Sequence, residues 1–159
     1  MDPFEALGLP RSWRLPAEQI RSAQRRVCAA SHPDRFHDPA QRADAQARVA
    51  LANQAAAALL EPLGCAEALL SVLSPQPRPA DPRPDPTFLA AMIELRERLD
   101  AGEATAVASD LAALEQAAQA DAESGFARLV AGEAGAWSAA AEATGRLRAV
   151  LRARGEGRA

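Results

Sequence analysis

The sequence contains no lysine and no tyrosine, and only six of its 159 residues are aromatic. Hydrophobic residues still make up 48% of the chain, but 41 residues are alanine. Alanine has the best intrinsic helix propensity and little apolar surface to bury. The composition therefore predicts an all-α fold with thin cores. The length leaves room for one domain or two very small ones, which excludes a large multi-domain enzyme.

Cysteines and long hydrophobic runs are also scarce. Cys28 and Cys65 form neither a CxxC pair nor a disulfide framework, which is typical of proteins in a reducing compartment. No stretch approaches the roughly 18 uninterrupted apolar residues that span a bilayer. The acidic N-terminus has the features of neither a signal peptide nor a transit peptide. We therefore expect a cytoplasmic protein that has no membrane partner.

The arginines do not form one dominant basic region, although they are the only strongly basic side chains. Residues 1–74 contain eight arginines and eight acidic residues, whereas residues 81–144 contain four and twelve. Residues 145–159 contain five arginines and one acidic residue. Proteins that bind nucleic acid usually have a dominant basic face, because phosphate contacts provide much of the affinity. The charge distribution therefore disfavours a nucleic-acid partner.

Proline residues divide the chain in two. Six of them fall within residues 75–86, which excludes a helix there and favours an extended, semi-rigid spacer. We therefore predict one domain over 1–74, a linker over 75–87 and a second domain over 88–154. After a short segment over 4–9 that ends at Pro10, periodicity and capping residues predict these helices: 17–30, 39–60, 63–73, 88–99, 103–130 and 134–153. In this scheme Thr87 caps the helix that begins at Phe88.

The predicted helix over 17–30 has two different faces. Its apolar residues recur at steps of three and four, so they share the inner face: Ile20, Ala23, Val27 and Ala30. Three basic residues project from the other side: Arg21, Arg25 and Arg26. Taken alone, this basic side is the ordinary solvated face of a surface helix.

The densest polar group follows this helix and reads His-Pro-Asp-Arg-Phe-His-Asp over residues 32–38. One interpretation is a metal-dependent enzyme, because His32, His37 and the adjacent carboxylates form a set that zinc or manganese accepts. The chain contains no third histidine to complete such a site. A second interpretation makes Cys28 a nucleophile activated by His32, although Pro33 interrupts the geometry that this needs. The third interpretation is recognition of another protein.

The recognition interpretation follows from a resemblance to the J-domain, the module with which a co-chaperone stimulates ATP hydrolysis by a 70-kDa heat-shock chaperone. The His-Pro-Asp tripeptide follows a basic helix here, as it does in J-domains. Phe4 and the Leu-Gly-Leu of 7–9 resemble the opening "F..LGL" of that module. Residues 53–59 resemble its "N.AY..L" segment, although Ala56 replaces the tyrosine.

The chain most resembles the HscB (Jac) type of co-chaperone, which serves iron-sulfur cluster assembly. Three blocks in the same order carry the likeness: HPDRF at 32–36, the segment at 53–70 that is similar to "NQAY.TL..PL.RAEYLL", and 85–99, which is similar to "D..FL..QMELREEL". The resemblance implies an L-shaped, all-α molecule with an N-terminal J-domain, formed by an antiparallel helical hairpin, and a C-terminal three-helix bundle. It implies no enzyme activity of its own, no cofactor and no metal.

The resemblance also implies two binding sites. His32, Pro33 and Asp34 contact a chaperone of the HscA or DnaK type, with the basic helix facing an acidic surface. A flank formed by Leu89 and Ile93, together with the last helix, binds an iron-sulfur scaffold protein of the IscU type. The alternative for this flank is that both side chains pack inside the bundle.

Two alanines depart from the family pattern of the scaffold site. Ala90 replaces a methionine and Ala149 replaces an aromatic residue. Two other functions stay open at this point. The chain could be a J-domain protein that recruits a different client through its second domain, or a purely structural helical adaptor.

Overall fold

A computed structural model describes residues 1–75, 77, 82–83 and 85–156. This part of the chain contains seven α-helices, one 3-10 turn and no strand. It divides into two compact units, which we call unit 1 (Met1–Val72) and unit 2 (Leu73–Ala159). The all-α fold class predicted from the composition is confirmed. The predicted linker falls partly outside the described residues, which omit 76, 78–81 and 84.

Unit 1 is built around one long helix. Its elements are α1 (Pro3–Leu7), α2 (Ala17–Ala30), a 3-10 turn (Pro33–Arg35), α3 (Pro39–Leu60) and α4 (Pro62–Val72). Helices α1, α2 and α4 all pack on α3. The buried core consists mainly of alanine, leucine and a few larger side chains: Phe4, Leu7, Ile20, Ala23, Ala52, Ala55, Ala56, Leu59, Cys65, Ala66 and Leu69.

The basic helix α2 buries less of its apolar face than the periodicity predicts. Ile20 and Ala23 are buried, and Val27 is half-buried. Ala30, by contrast, is exposed, so its predicted place on the inner face is wrong. It is the last residue of α2, where the chain turns away towards the 3-10 turn. The end of α2 therefore stands free of the core.

Unit 2 is a three-helix unit formed by α5 (Pro86–Asp100), α6 (Ala104–Val130) and α7 (Ala136–Glu156). Helices α6 and α7 form its largest helix–helix contact, where an added Cβ on Gly125 would lie 3.1 Å from the Cα of Ala140. A buried cluster is formed by Leu95, Val107, Leu111 and Val150. Partly buried side chains pack against it: Phe88, Met92, Leu99, Leu114 and Ala153.

Helix α5 begins two residues earlier than predicted. Asp85, not Thr87, is its N-cap, because the Asp85 carboxylate accepts a hydrogen bond from the Thr87 amide at 3.0 Å. Pro86 occupies the first helical position, where a missing N–H costs nothing. The predicted cap at Thr87 is therefore wrong. Asp85 also lies 3.5 Å from Arg146 of α7, so the start of α5 is tied to the last helix.

No single helix among the described residues is long and apolar enough to cross a membrane. Helices α3 and α4 together have the required length and apolarity, but they meet at an angle of 109°. The alanine and leucine side chains that give α3 and α4 this composition include the core of unit 1.

Candidate functional site

The His-Pro-Asp sequence lies on the surface of unit 1, in the short connection between α2 and α3. Ser31 ends α2, and His32 is the N-cap of the 3-10 turn that begins at Pro33. The side chains of His32 and Asp34 are 60% and 87% exposed. Pro33 is half-buried beneath them. The connection therefore presents an imidazole and a carboxylate to solvent on a tight backbone turn.

The polar atoms of His32 and Asp34 face each other across this turn. The Asp34 amide donates to Nδ1 of His32 at 3.4 Å, and one Asp34 carboxylate oxygen lies 3.5 Å from the same nitrogen. Neutral Nδ1 accepts from the amide, whereas a protonated Nδ1 donates to the carboxylate, so one nitrogen cannot serve both partners at once. In either state the two side chains form one compact polar surface.

Two arginines fix the backbone of this connection. Arg35 donates to the carbonyl of Ala29 at 3.2 Å, which satisfies an acceptor in the last turn of α2. Arg42 of α3 donates to the carbonyl of Phe36 at 2.9 Å. No sequence motif assigns Arg42 a role, because its contact depends on the path of the chain between the helices. The two arginines thus bond to backbone carbonyls on either side of the exposed tripeptide.

The three arginines predicted on the outer side of α2 are all exposed, but their surroundings differ. Arg25 forms an ion pair with Glu18 at 2.5 Å, and Arg26 lies 3.4 Å from the carbonyl of Leu7. Arg21 makes no hydrogen bond or ion pair with a described residue. The basic character of this face is therefore partly offset within α2 itself.

Beside this face, α2 is joined to α3 by polar contacts. Gln24 donates to Oδ1 of Asn53 at 2.8 Å. The thiol of half-buried Cys28 lies 3.7 Å from the same oxygen. Cys65 is buried, and this burial raises the pKa of its thiol. The polar contact of Cys28 is thus Asn53, and no contact with His32 supports a nucleophilic role.

The metal-site interpretation requires a cluster of ligand side chains. Within the described part of the chain, no three histidine, cysteine, aspartate or glutamate side chains come together in a way that could hold a metal ion. His32 and Asp34 approach each other, whereas His37 is a separate exposed side chain.

A second candidate site is an apolar groove in unit 2. It has a volume of about 360 Å³ and lies between α5, α6 and α7. Leu89, Ile93 and Ala149, three of the four predicted scaffold-binding residues, line this groove. Ala90 is exposed and does not line it. The structure thus brings together side chains from two helices that are more than 50 residues apart in the sequence.

The predicted stripe on α5 projects outward. Leu89 and Ile93 are 43% and 61% exposed, so the alternative that both pack inside the bundle is wrong. Their neighbours Met92 and Leu95 face the core cluster and also line the groove. The floor is therefore continuous with the core, and the outer rim consists of exposed apolar side chains.

Comparisons with known proteins find similar co-chaperones. The family model described as "HSCB C-terminal oligomerisation domain" matches residues 84–154. A co-chaperone protein HscB homolog from Bordetella petrii is 34% identical over 102 residues, which are 62% of this chain and 60% of that protein. That match thus spans less than two thirds of the relative's length.

Two solved structures extend the likeness to nearly the whole chain. Chaperone HscB from Vibrio cholerae is 27% identical with a TM-score of 0.76, over 99% of this chain and 96% of that chain. Human co-chaperone HscB shares the fold at 20% identity, with a TM-score of 0.82 over 99% of this chain and 81% of that chain. With the family match across the three helices of unit 2, these findings show that the chain is similar to HscB co-chaperones along nearly its whole length.

Proposed function

We propose that this protein stimulates ATP hydrolysis by a 70-kDa heat-shock chaperone of the HscA or DnaK type and delivers an IscU-type iron-sulfur scaffold protein to it. The observation that carries the proposal is the exposed His-Pro-Asp turn at the end of a basic helix. Unit 1 acts as the J-domain and unit 2 holds the scaffold. The protein acts in the cytoplasm and performs no covalent chemistry itself.

The turn acts by contact with the chaperone. His32 and Asp34 are already exposed, and Arg35 and Arg42 fix the backbone that carries them. Binding therefore spends little free energy on ordering this segment. Stimulation is then a coupling between two sites on the chaperone, which binds the turn at one site and the nucleotide at the other.

The basic face of α2 orients this protein as it approaches the chaperone. Arg21, Arg25 and Arg26 extend from α2 on the same unit as the turn. Exposed charges of this kind change the association rate and its dependence on salt more than they change affinity. Because Arg25 is paired with Glu18, Arg21 contributes the least compensated charge of the three.

The groove of unit 2 supplies the scaffold site. Exposed apolar side chains such as Leu89 and Ile93 favour burial against a partner protein. With 360 Å³, the groove is of the size that admits side chains of a partner. The family match over 84–154 covers this site in full.

Steady-state ATP hydrolysis by the purified chaperone tests the first half of the proposal. The unaltered protein should stimulate hydrolysis, and His32→Gln should reduce this stimulation at least about tenfold, as expected for a central contact residue. His37→Gln is the matched control, because His37 is an exposed histidine in the same connection, outside the tripeptide. Equal stimulation by the unaltered protein and His32→Gln would contradict the proposal.

A further inference from the structure

The groove of unit 2 has charged side chains on its rim as well as an apolar floor. Arg96 and Glu97 lie on the α5 side, and Arg152 lies on the α7 side. Arg96 is 3.8 Å from Asp100, so its charge is partly compensated within α5. Arg152 is exposed and makes no hydrogen bond or ion pair with any described side chain. Among the described side chains none compensates this cation, which borders an open apolar groove.

Other arginines of α7 are paired, which sets Arg152 apart. Arg146 forms ion pairs with Asp121 at 3.2 Å and Glu142 at 2.6 Å, and Arg154 forms an ion pair with Glu115. Each of these pairs joins side chains within unit 2. Arg152 instead lies beside Ala149 and Ala153, whose small side chains leave the groove open.

We propose that Arg152 is a specificity-determining residue that forms an ion pair with a carboxylate on the scaffold protein bound in the groove. This inference rests on the proposed function, and it adds the chemistry of the occupant. The bound segment places a large apolar side chain between Leu89, Ile93 and Ala149, and an aspartate or glutamate of the same segment faces Arg152. Arginine suits this task because its planar guanidinium can bind a carboxylate through two hydrogen bonds.

Charge complementarity favours this occupant over a purely apolar one. A segment without a carboxylate would cover part of the Arg152 guanidinium and leave it without a partner, which costs desolvation energy. A segment with an acidic residue at this place gains an ion pair that is shielded from solvent on its apolar side. Arg152 thus discriminates among apolar segments by their charge.

Calorimetry at two salt concentrations tests this inference. It measures the binding of the purified IscU-type scaffold to this protein. Arg152→Glu should raise Kd about tenfold or more, because it replaces an attraction by a repulsion. Arg152→Lys should keep most of the affinity. Arg148→Glu is the matched control, because it makes the same charge change one helical turn earlier at an exposed residue that does not line the groove.

The decisive measurement is rescue by charge exchange. The exposed acidic residues of the scaffold are replaced one at a time by lysine, and each variant is titrated with Arg152→Glu. One scaffold variant should recover most of the lost affinity, which identifies the partner carboxylate. Circular dichroism of each variant shows whether the helices of unit 2 are intact.

Three results would overturn the inference. The first is equal binding by Arg152→Glu and the unaltered protein, and the second is equal weakening by Arg148→Glu, which indicates a general charge effect. The third is self-association through the groove, seen as a concentration-dependent mass that Arg152→Glu abolishes. If the unaltered protein does not bind the scaffold at all, the scaffold half of the proposed function fails, and the inference fails with it.

Discussion

Asn53 of α3 accepts a hydrogen bond from Gln24 of α2 at 2.8 Å, and this contact joins the basic helix to the central helix of unit 1. The His-Pro-Asp turn follows directly from the end of α2. The position of the turn therefore depends on how α2 is held against α3. Ala30 is exposed, so apolar packing does not extend to the last residue of α2. Polar contacts, including the hydrogen bonds of the two arginines of the connection, position the chain beyond that point.

Asn53→Ala should lower the free energy of unfolding of unit 1 by about 0.5–1.5 kcal/mol, the usual net value of one hydrogen bond. Trp13 fluorescence during urea unfolding, in a Trp137→Phe background, reports on unit 1 because the chain has only these two tryptophans. Gln54→Ala is the control, since Gln54 is an exposed neighbour on the same helix. A loss for Gln54→Ala as large as that for Asn53→Ala would refute the role of the contact.

The N-cap of α5 gives a second pair of variants. Asp85→Ala should destabilise unit 2 by about 1 kcal/mol, because the Asp85 carboxylate caps α5 and lies near Arg146. Thr87→Ala should change the stability much less, since the Thr87 side chain is not the cap. Trp137 fluorescence in a Trp13→Phe background measures both variants. The opposite order of effects would show that Thr87 is the cap after all.

Acid should weaken unit 1 through Asp2. Burial acts to raise the pKa of Asp2, but hydrogen bonds from Arg11 and from the amides of Glu5 and Phe4 outweigh it and lower the pKa below its ordinary value of 3.8. A group whose pKa is lowered on folding stabilises the protein above its unfolded pKa. This stabilisation is lost as the pH falls through the folded pKa.

Asp2→Asn tests this pH dependence, because asparagine still caps α1 but cannot carry the charge. The unaltered protein should be more stable than Asp2→Asn near neutral pH, and the difference should shrink as the pH falls below 3.8, the ordinary pKa of the group, and through its lowered folded pKa. Asp44→Asn serves as the control at an exposed residue of α3. A stability difference that does not change between neutral and acidic pH would exclude the role of the Asp2 charge.

Much of the fold was predictable because local signals mark its helices. Pro39 after Asp38, and Pro62 after Glu61, show where α3 and α4 begin. The start of α5 was harder, since Asp85 and Thr87 are both good capping residues and only the backbone shows which one receives the amide hydrogen bond. Local propensity thus predicts the presence of a helix more reliably than it predicts the first residue of that helix.

The sites were predictable only in part. The sequence alone singled out the His-Pro-Asp turn, because its residues are contiguous. The groove needed the structure, since its lining comes from α5, α6 and α7 and depends on how these helices pack. The contacts of Arg35 and Arg42 depend on the backbone path of the connection. That Arg152 has no partner among the described side chains becomes visible only when the partners of the other arginines are known.

The central claim is that one protein contacts the chaperone through unit 1 while unit 2 holds the scaffold. Its most direct test is the rate of ATP hydrolysis by the chaperone with this protein alone, with the scaffold alone and with both. We predict that both together exceed the sum of the separate stimulations. Ile93→Asp, which places a charge on the groove rim, should remove this excess and keep the stimulation by the protein alone. An undiminished excess with Ile93→Asp, or no excess with the unaltered protein, would contradict the account.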